Sequence, residues 1–125
     1  MKTNVKPEKQ FVLDYVAENA DALAGVCDSL FWFGEPAMQE ERSAELLSGI
    51  LEDGGFSVER GISGFPTGFM ATYGEGEPVI AVHTEYDAAP NNSQQPGVGE
   101  HAAIVEGAPG HCEGHNCNAA VMVAG

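Results

Sequence analysis

The chain has 125 residues and a mass of 13.1 kDa, enough for one domain or part of one. It is 43% hydrophobic and 19% charged, which excludes a disordered composition and allows a core. Nineteen acids against five Lys and Arg give a formal net charge of -14. That argues against nucleic acid and anionic membranes as partners, because both are bound through Lys/Arg clusters.

No apolar run reaches the roughly 20 residues of a spanning helix. The polar start, Met1 to Lys6, leads into no apolar signal core. The three cysteines, Cys27, Cys112 and Cys117, follow no disulfide spacing pattern. A reduced, cytoplasmic protein is the expectation.

Residues 1–10 are polar and expected to fray. From Phe11 to Leu23 the apolar residues Phe11, Val12, Tyr15, Val16, Ala20 and Leu23 fall at helical spacing. Ser29 to Phe33 continues an apolar patch, interrupted by Gly34-Glu35-Pro36. A second helix is expected from Pro36 or Ala37 to Asp53, with Met38, Arg42, Leu46 and Ile50, together with Leu47 and Leu51, as its amphipathic face and Gly54-Gly55 as its stop. Phe56 to Arg60 and Phe69 to Tyr73 read as strands. Pro78 to His83 is apolar almost throughout and reads as a buried strand. Ala88 to Gly110, rich in Pro, Gly, Asn and Gln, reads as a long functional loop. Asn116 to Gly125 reads as the first turns of a helix apolar on all sides, which this chain alone has little to cover. The chain is therefore expected to stop inside a larger domain.

The charge is unevenly placed. All five basic residues (Lys2, Lys6, Lys9, Arg42 and Arg60) lie in the first 60 positions. From Gly61 onward there are none, yet this half carries seven acids and all four histidines. A divalent cation would offset that repulsion; a solvated acidic surface is the alternative.

Two clusters can carry chemistry. His83-Thr84-Glu85-Tyr86-Asp87 ends the expected strand, so that His83, Glu85 and Asp87 would point to one side. Gly110-His111-Cys112-Glu113-Gly114-His115-Asn116 crowds metal-competent side chains between two glycines. His111 and His115 share a face if it is helical; His111, Glu113 and His115 share one if it is extended. Glu40-Glu41 reads as a solvated helix face, and Cys27 and Cys117 as small buried hydrophobes.

These motifs occur together in a recognisable order. Phe31-Trp32-Phe33-Gly34-Glu35-Pro36, Glu41-Arg42-Ser43-Ala44, Gly55-Phe56-Ser57-Val58 and Gly64-Phe65-Pro66-Thr67 come first. The run from Val79 through Glu85-Tyr86-Asp87-Ala88-Ala89-Pro90 and the His111–His115 cluster follow. Over about residues 27 to 125 the chain resembles the N-terminal part of the M20 family of metallopeptidases and amidohydrolases, nearest the branch of p-aminobenzoyl-glutamate hydrolases and aminoacylases.

The resemblance implies an α/β fold: residues 1–125 would be the N-terminal portion of a mixed-sheet, helix-flanked catalytic domain. The remainder of that domain, and an inserted dimerisation domain, would lie outside this chain. It implies one or two divalent ions, Mn or Zn, activating water to cleave the C–N bond of an N-acyl or aryl-amide amino acid. Glu113 and His115 match the metal ligands, and Asp87 the acid that orients a ligand and tunes the site. Glu85, His111, His83 and Cys112 are further candidates to bind metal or support the ligands. The branch usually has Cys where Glu113 stands; a carboxylate there leans towards Mn. The general base would lie downstream, so the site would be completed by a downstream segment or a second chain. A homo-oligomer is expected. Hydrolytic deamination of an aminoaromatic acid on the same scaffold is one alternative, and a non-catalytic metal-binding or assembly module is another.

Overall fold

A computed structural model describes residues 5–124. Of residues 1–10, expected to fray, 1–4 lie outside the described residues and 7–10 are instead helical; the placement of residue 125 in the last helix also lies outside the described residues. The first helix, α1, spans Pro7–Glu18, with Pro7 in its first turn. It has no buried residue, and Phe11 is 71% exposed. The single helix expected through Leu23 divides at Asn19. There both the backbone N–H and the side-chain amide donate to the Tyr15 carbonyl, at 3.1 and 2.8 Å. An Asn side chain that bonds the local backbone in this way competes with helix continuation.

The second helix, α2 (Ala20–Phe33), takes in the apolar patch from Ser29 to Phe33 and stops at Gly34. Gly34 takes φ 53°, ψ 42°, a left-handed cap that glycine adopts without steric cost. The third helix, α3 (Glu41–Asp53), starts later than Pro36 because Pro36 to Gln39 forms a turn, the Gln39 N–H donating to the Pro36 carbonyl at 3.0 Å. Its start is set by Glu35. The Glu35 carboxylate accepts from the Arg42 N–H (3.0 Å), the Ser43 N–H (2.9 Å) and the Ser43 hydroxyl (2.7 Å). A helix leaves its first N–H groups unpaired, and a carboxylate satisfies both them and the dipole.

Strands β1 (Ser57–Arg60) and β2 (Phe69–Thr72) pair antiparallel, from Ser57 opposite Thr72 to Arg60 opposite Phe69. Arg60 ties them to α3. Its guanidinium grips Glu52 with two contacts, 2.6 and 2.8 Å, and donates to the Ser48 hydroxyl at 2.8 and 3.1 Å. Helices with this small sheet make the chain an α/β structure.

The expected strand at Pro78 to His83 does not form. Val79, Ile80 and Val82 are 77, 84 and 67% exposed. A strand needs a neighbour to satisfy its backbone, and the two strands among the described residues pair only with each other.

Beyond it the chain is tied down again. Ala88 bridges to Pro36 in parallel, and Ala89 bridges to Gly110 antiparallel. The loop between Ala89 and Gly110 carries cross-links of its own, Ser93 N–H to the Ala108 carbonyl (3.0 Å) and Gln95 N–H to the Ala102 carbonyl (2.8 Å). Gly110 is required by crowding, since a β-carbon there would collide with the Asn92 carbonyl. The last helix, α4 (His115–Ala124), packs mainly on α2, and its Ala119 joins Leu30 and Leu47 in the core. The outer side of α4 is uncovered, with Val121 65% exposed.

Candidate metal centre

Two loops and one helix start build the site. The bridge between Ala88 and Pro36 anchors the end of the segment carrying Glu85 and Asp87. The bridge between Ala89 and Gly110 brings the second cluster alongside. Gly114 (φ 79°) turns the chain into α4, so His115 opens that helix beside the two acids.

His115 is the hub. Its Nδ1 lies 2.8 Å from Asp87 Oδ1, and its Nε2 lies 3.1 Å from Glu85 Oε2 and 3.5 Å from Glu113 Oε2. Glu85, Asp87 and His115 each offer a ligand atom, all within 4.8 Å of one another. This group could hold a metal ion: imidazole and carboxylate are ligands shared by Zn and Mn. With Asp87 accepting from Nδ1–H, Nε2 is the nitrogen left to coordinate, its ring fixed by the carboxylate behind it. Burial alone would lower the His115 pKa. The Asp87 hydrogen bond and charge, with the charges of Glu85 and Glu113, outweigh burial and raise it above the ordinary histidine value.

His111 does something different. Neither the helical nor the extended alternative holds across the cluster, and His111 makes its hydrogen bond to α2 rather than to the acids around His115. Its Nε2 donates to the Leu30 carbonyl of α2 at 3.0 Å, while its Nδ1 is buried without a partner among the described residues. Burial lowers its pKa. It links the cluster to α2 as a neutral imidazole.

His83, His111, Cys112 and Glu113 lie outside the ligand group, although the Glu113 carboxylate comes within 3.5 Å of His115 Nε2. His83 is exposed and lines a shallow cavity of about 290 Å³ with Thr84, Glu85, Asn118 and Met122. Cys112 is exposed. Cys117 is exposed and Cys27 only half-buried, so the reading of both as buried hydrophobes is corrected. Their positions follow from α4 lying against α2, which spacing within either segment does not reveal.

Glu40 also departs from expectation. It is 8% exposed, not a solvated helix face, and its carboxylate accepts from the Thr67 hydroxyl. The Thr67 carbonyl in turn accepts from the hydroxyl of Tyr86, the residue between Glu85 and Asp87. Burial, then the Glu40 charge, pushes the Tyr86 pKa up to about 12, so it stays a donor. Tyr86 also stacks on Phe69, ring centres 5.9 Å apart. A network from Glu40 through Thr67 and Tyr86 therefore braces the acidic loop against the hairpin. Thr67 and Tyr86 both fall within the sequence motifs, and Glu40 directly precedes one; no other sequence signal marks the network.

Among proteins of known role, the chain is similar to a subunit of the p-aminobenzoyl-glutamate hydrolase of Escherichia coli (strain K12). The two are 36% identical over 107 residues, covering 86% of this chain and 22% of that protein. The chain thus spans about a fifth of that relative's length. No protein-family model matches the chain. No solved structure matches it either.

Proposed function

We propose that this chain is the N-terminal, metal-binding portion of the catalytic domain of an M20-like amidohydrolase. The reading rests above all on Glu85, Asp87 and His115 meeting within 4.8 Å, from segments far apart in sequence. The similarity to a p-aminobenzoyl-glutamate hydrolase subunit supports it.

In this reading His115 Nε2 and the Glu113 carboxylate bind a divalent ion, Mn or Zn, with Glu85 beside them. Asp87 holds the His115 ring and its tautomer. When bound, the ion supplies Lewis acidity and lowers the pKa of a water. The chain's other residues position this group: His111 fixes the cluster to α2, and Tyr86 braces the acidic loop. The general base, and most of the substrate contacts, come from outside these 125 residues, either from the same polypeptide or from a partner subunit. A homo-oligomer with a cytoplasmic home fits this reading. No helix among the described residues is long and apolar enough to cross a membrane.

The substrate class is an N-acyl or aryl-amide amino acid. The test is hydrolysis of p-aminobenzoyl-glutamate by the full-length polypeptide, with its partner subunit if it has one. Activity should vanish with a chelator and return with Mn or Zn. Chelator-resistant turnover would contradict the proposal.

A further inference from the structure

Away from the ligand atoms, two thiols face each other across the contact between α2 and α4. Cys27 Sγ and Cys117 Sγ are 2.8 Å apart, although 90 positions separate them in the chain. Asn116 holds the pair from one side: its side-chain amide donates to the Cys27 carbonyl at 3.2 Å and to Cys27 Sγ at 3.3 Å. Cys117 is exposed, which gives a reagent access, and Cys27 is half-buried behind it. The third thiol, Cys112, is exposed.

We propose that Cys27 and Cys117 are a redox-responsive pair that closes into a disulfide when a low-molecular-weight disulfide is present. The exposed Cys117 sulfur, as thiolate, attacks one sulfur of the reagent, releasing one small thiol and leaving a mixed disulfide. Cys27 then attacks Cys117 Sγ, releasing the second small thiol. Two protein S–H bonds are lost and one S–S bond is gained. The reagent's S–S bond takes up the two electrons and two protons. The new bond joins α2 to α4 just beyond His115, so it pins the helix that presents His115 to the acids. Because it closes a long loop, it restricts the unfolded chain strongly.

The test uses the full-length polypeptide treated with oxidised glutathione, then alkylated and digested with a protease that cuts after Glu. Cleavage after Glu113 separates Cys112 from Cys117. The expected product is a peptide cross-linked between Cys27 and Cys117 that disappears on reduction. Tm should rise by about 3 °C on oxidation and fall back with reductant. Cys112→Ser should leave the cross-link in place, and Cys117→Ser should abolish it. A bridge between Cys112 and Cys117 would overturn the proposal. So would glutathione adducts on Cys117 with Cys27 still alkylated. The peptide map of the unsubstituted protein decides the matter even if a variant fails to fold.

Discussion

The hairpin of β1 and β2 and the run from Pro78 to His83 share a composition of alternating or continuous apolar residues. Only the hairpin is sheet. In the hairpin each strand has its partner, and Arg60 fastens the pair to α3 through Glu52 and Ser48. The second run has no strand partner among the described residues, and its valines and isoleucine are exposed. The difference teaches that strand character in the sequence is a request for a partner. An exposed apolar run of this kind suits the proposal that these residues are one portion of a larger domain.

The strongest way to break the organised side of this comparison is at Leu47. It is fully buried on α3, in the core shared with α2 and α4. Leu47→Ala should cost ~2–5 kcal/mol in chemical denaturation. A cost below about 1 kcal/mol would mean that α3 is not packed as described. The exposed side makes the opposite prediction in the 125-residue chain: Ile80→Ser should change stability by less than ~0.5 kcal/mol. In the full-length polypeptide the same change should cost ~2–5 kcal/mol, if a neighbouring strand buries Ile80. Equal, small effects in both would remove the need for a partner strand.

A cap gives a smaller effect. Glu35→Ala removes the acceptor for three donors at the start of α3 and should cost ~1–2 kcal/mol. Glu35→Gln should recover part of that loss, since its amide oxygen still accepts.

The two histidines of the cluster sharpen the contrast by pH. His115 has a raised pKa in the folded chain, so without metal its contribution is complete below the unfolded value of 6.5. That contribution is lost as pH rises through the folded pKa. His111 has a lowered pKa, so its contribution is present above 6.5 and is lost as pH falls through the folded pKa. His115→Asn should therefore flatten the alkaline side of the metal-free stability profile, and His111→Asn the acid side. Denaturation midpoints across pH would show it. The same slope on both sides in both variants would refute the assignment.

Much of this was legible in the sequence for a physical reason: helical periodicity and the clustering of ligand types are local signals. The hairpin strands, the late loop and α4 lie nearly where the pattern puts them. Residues Glu85, Asp87, Glu113 and His115 stand out by their chemistry and their motif positions, and the structure brings the three acids around the His115 imidazole. What did not show was long-range. The break at Asn19 depends on one side chain choosing the Tyr15 carbonyl. The burial of Glu40 depends on Thr67, 27 positions away. The meeting of Cys27 with Cys117 depends on how α4 lies on α2. Grouping His83 with Glu85 and Asp87 requires a strand there, and without the strand His83 stays outside the ligand group.

The central claim is that the His115 imidazole and its surrounding carboxylates hold a divalent ion. Metal content by mass spectrometry, on the full-length protein as purified and on His115→Ala, tests it most directly. The account predicts near-stoichiometric Mn or Zn in the unsubstituted protein and its loss in the variant, with Asp87→Asn weakening affinity ~10–100-fold. Metal retained at full occupancy by a folded His115→Ala protein would contradict it.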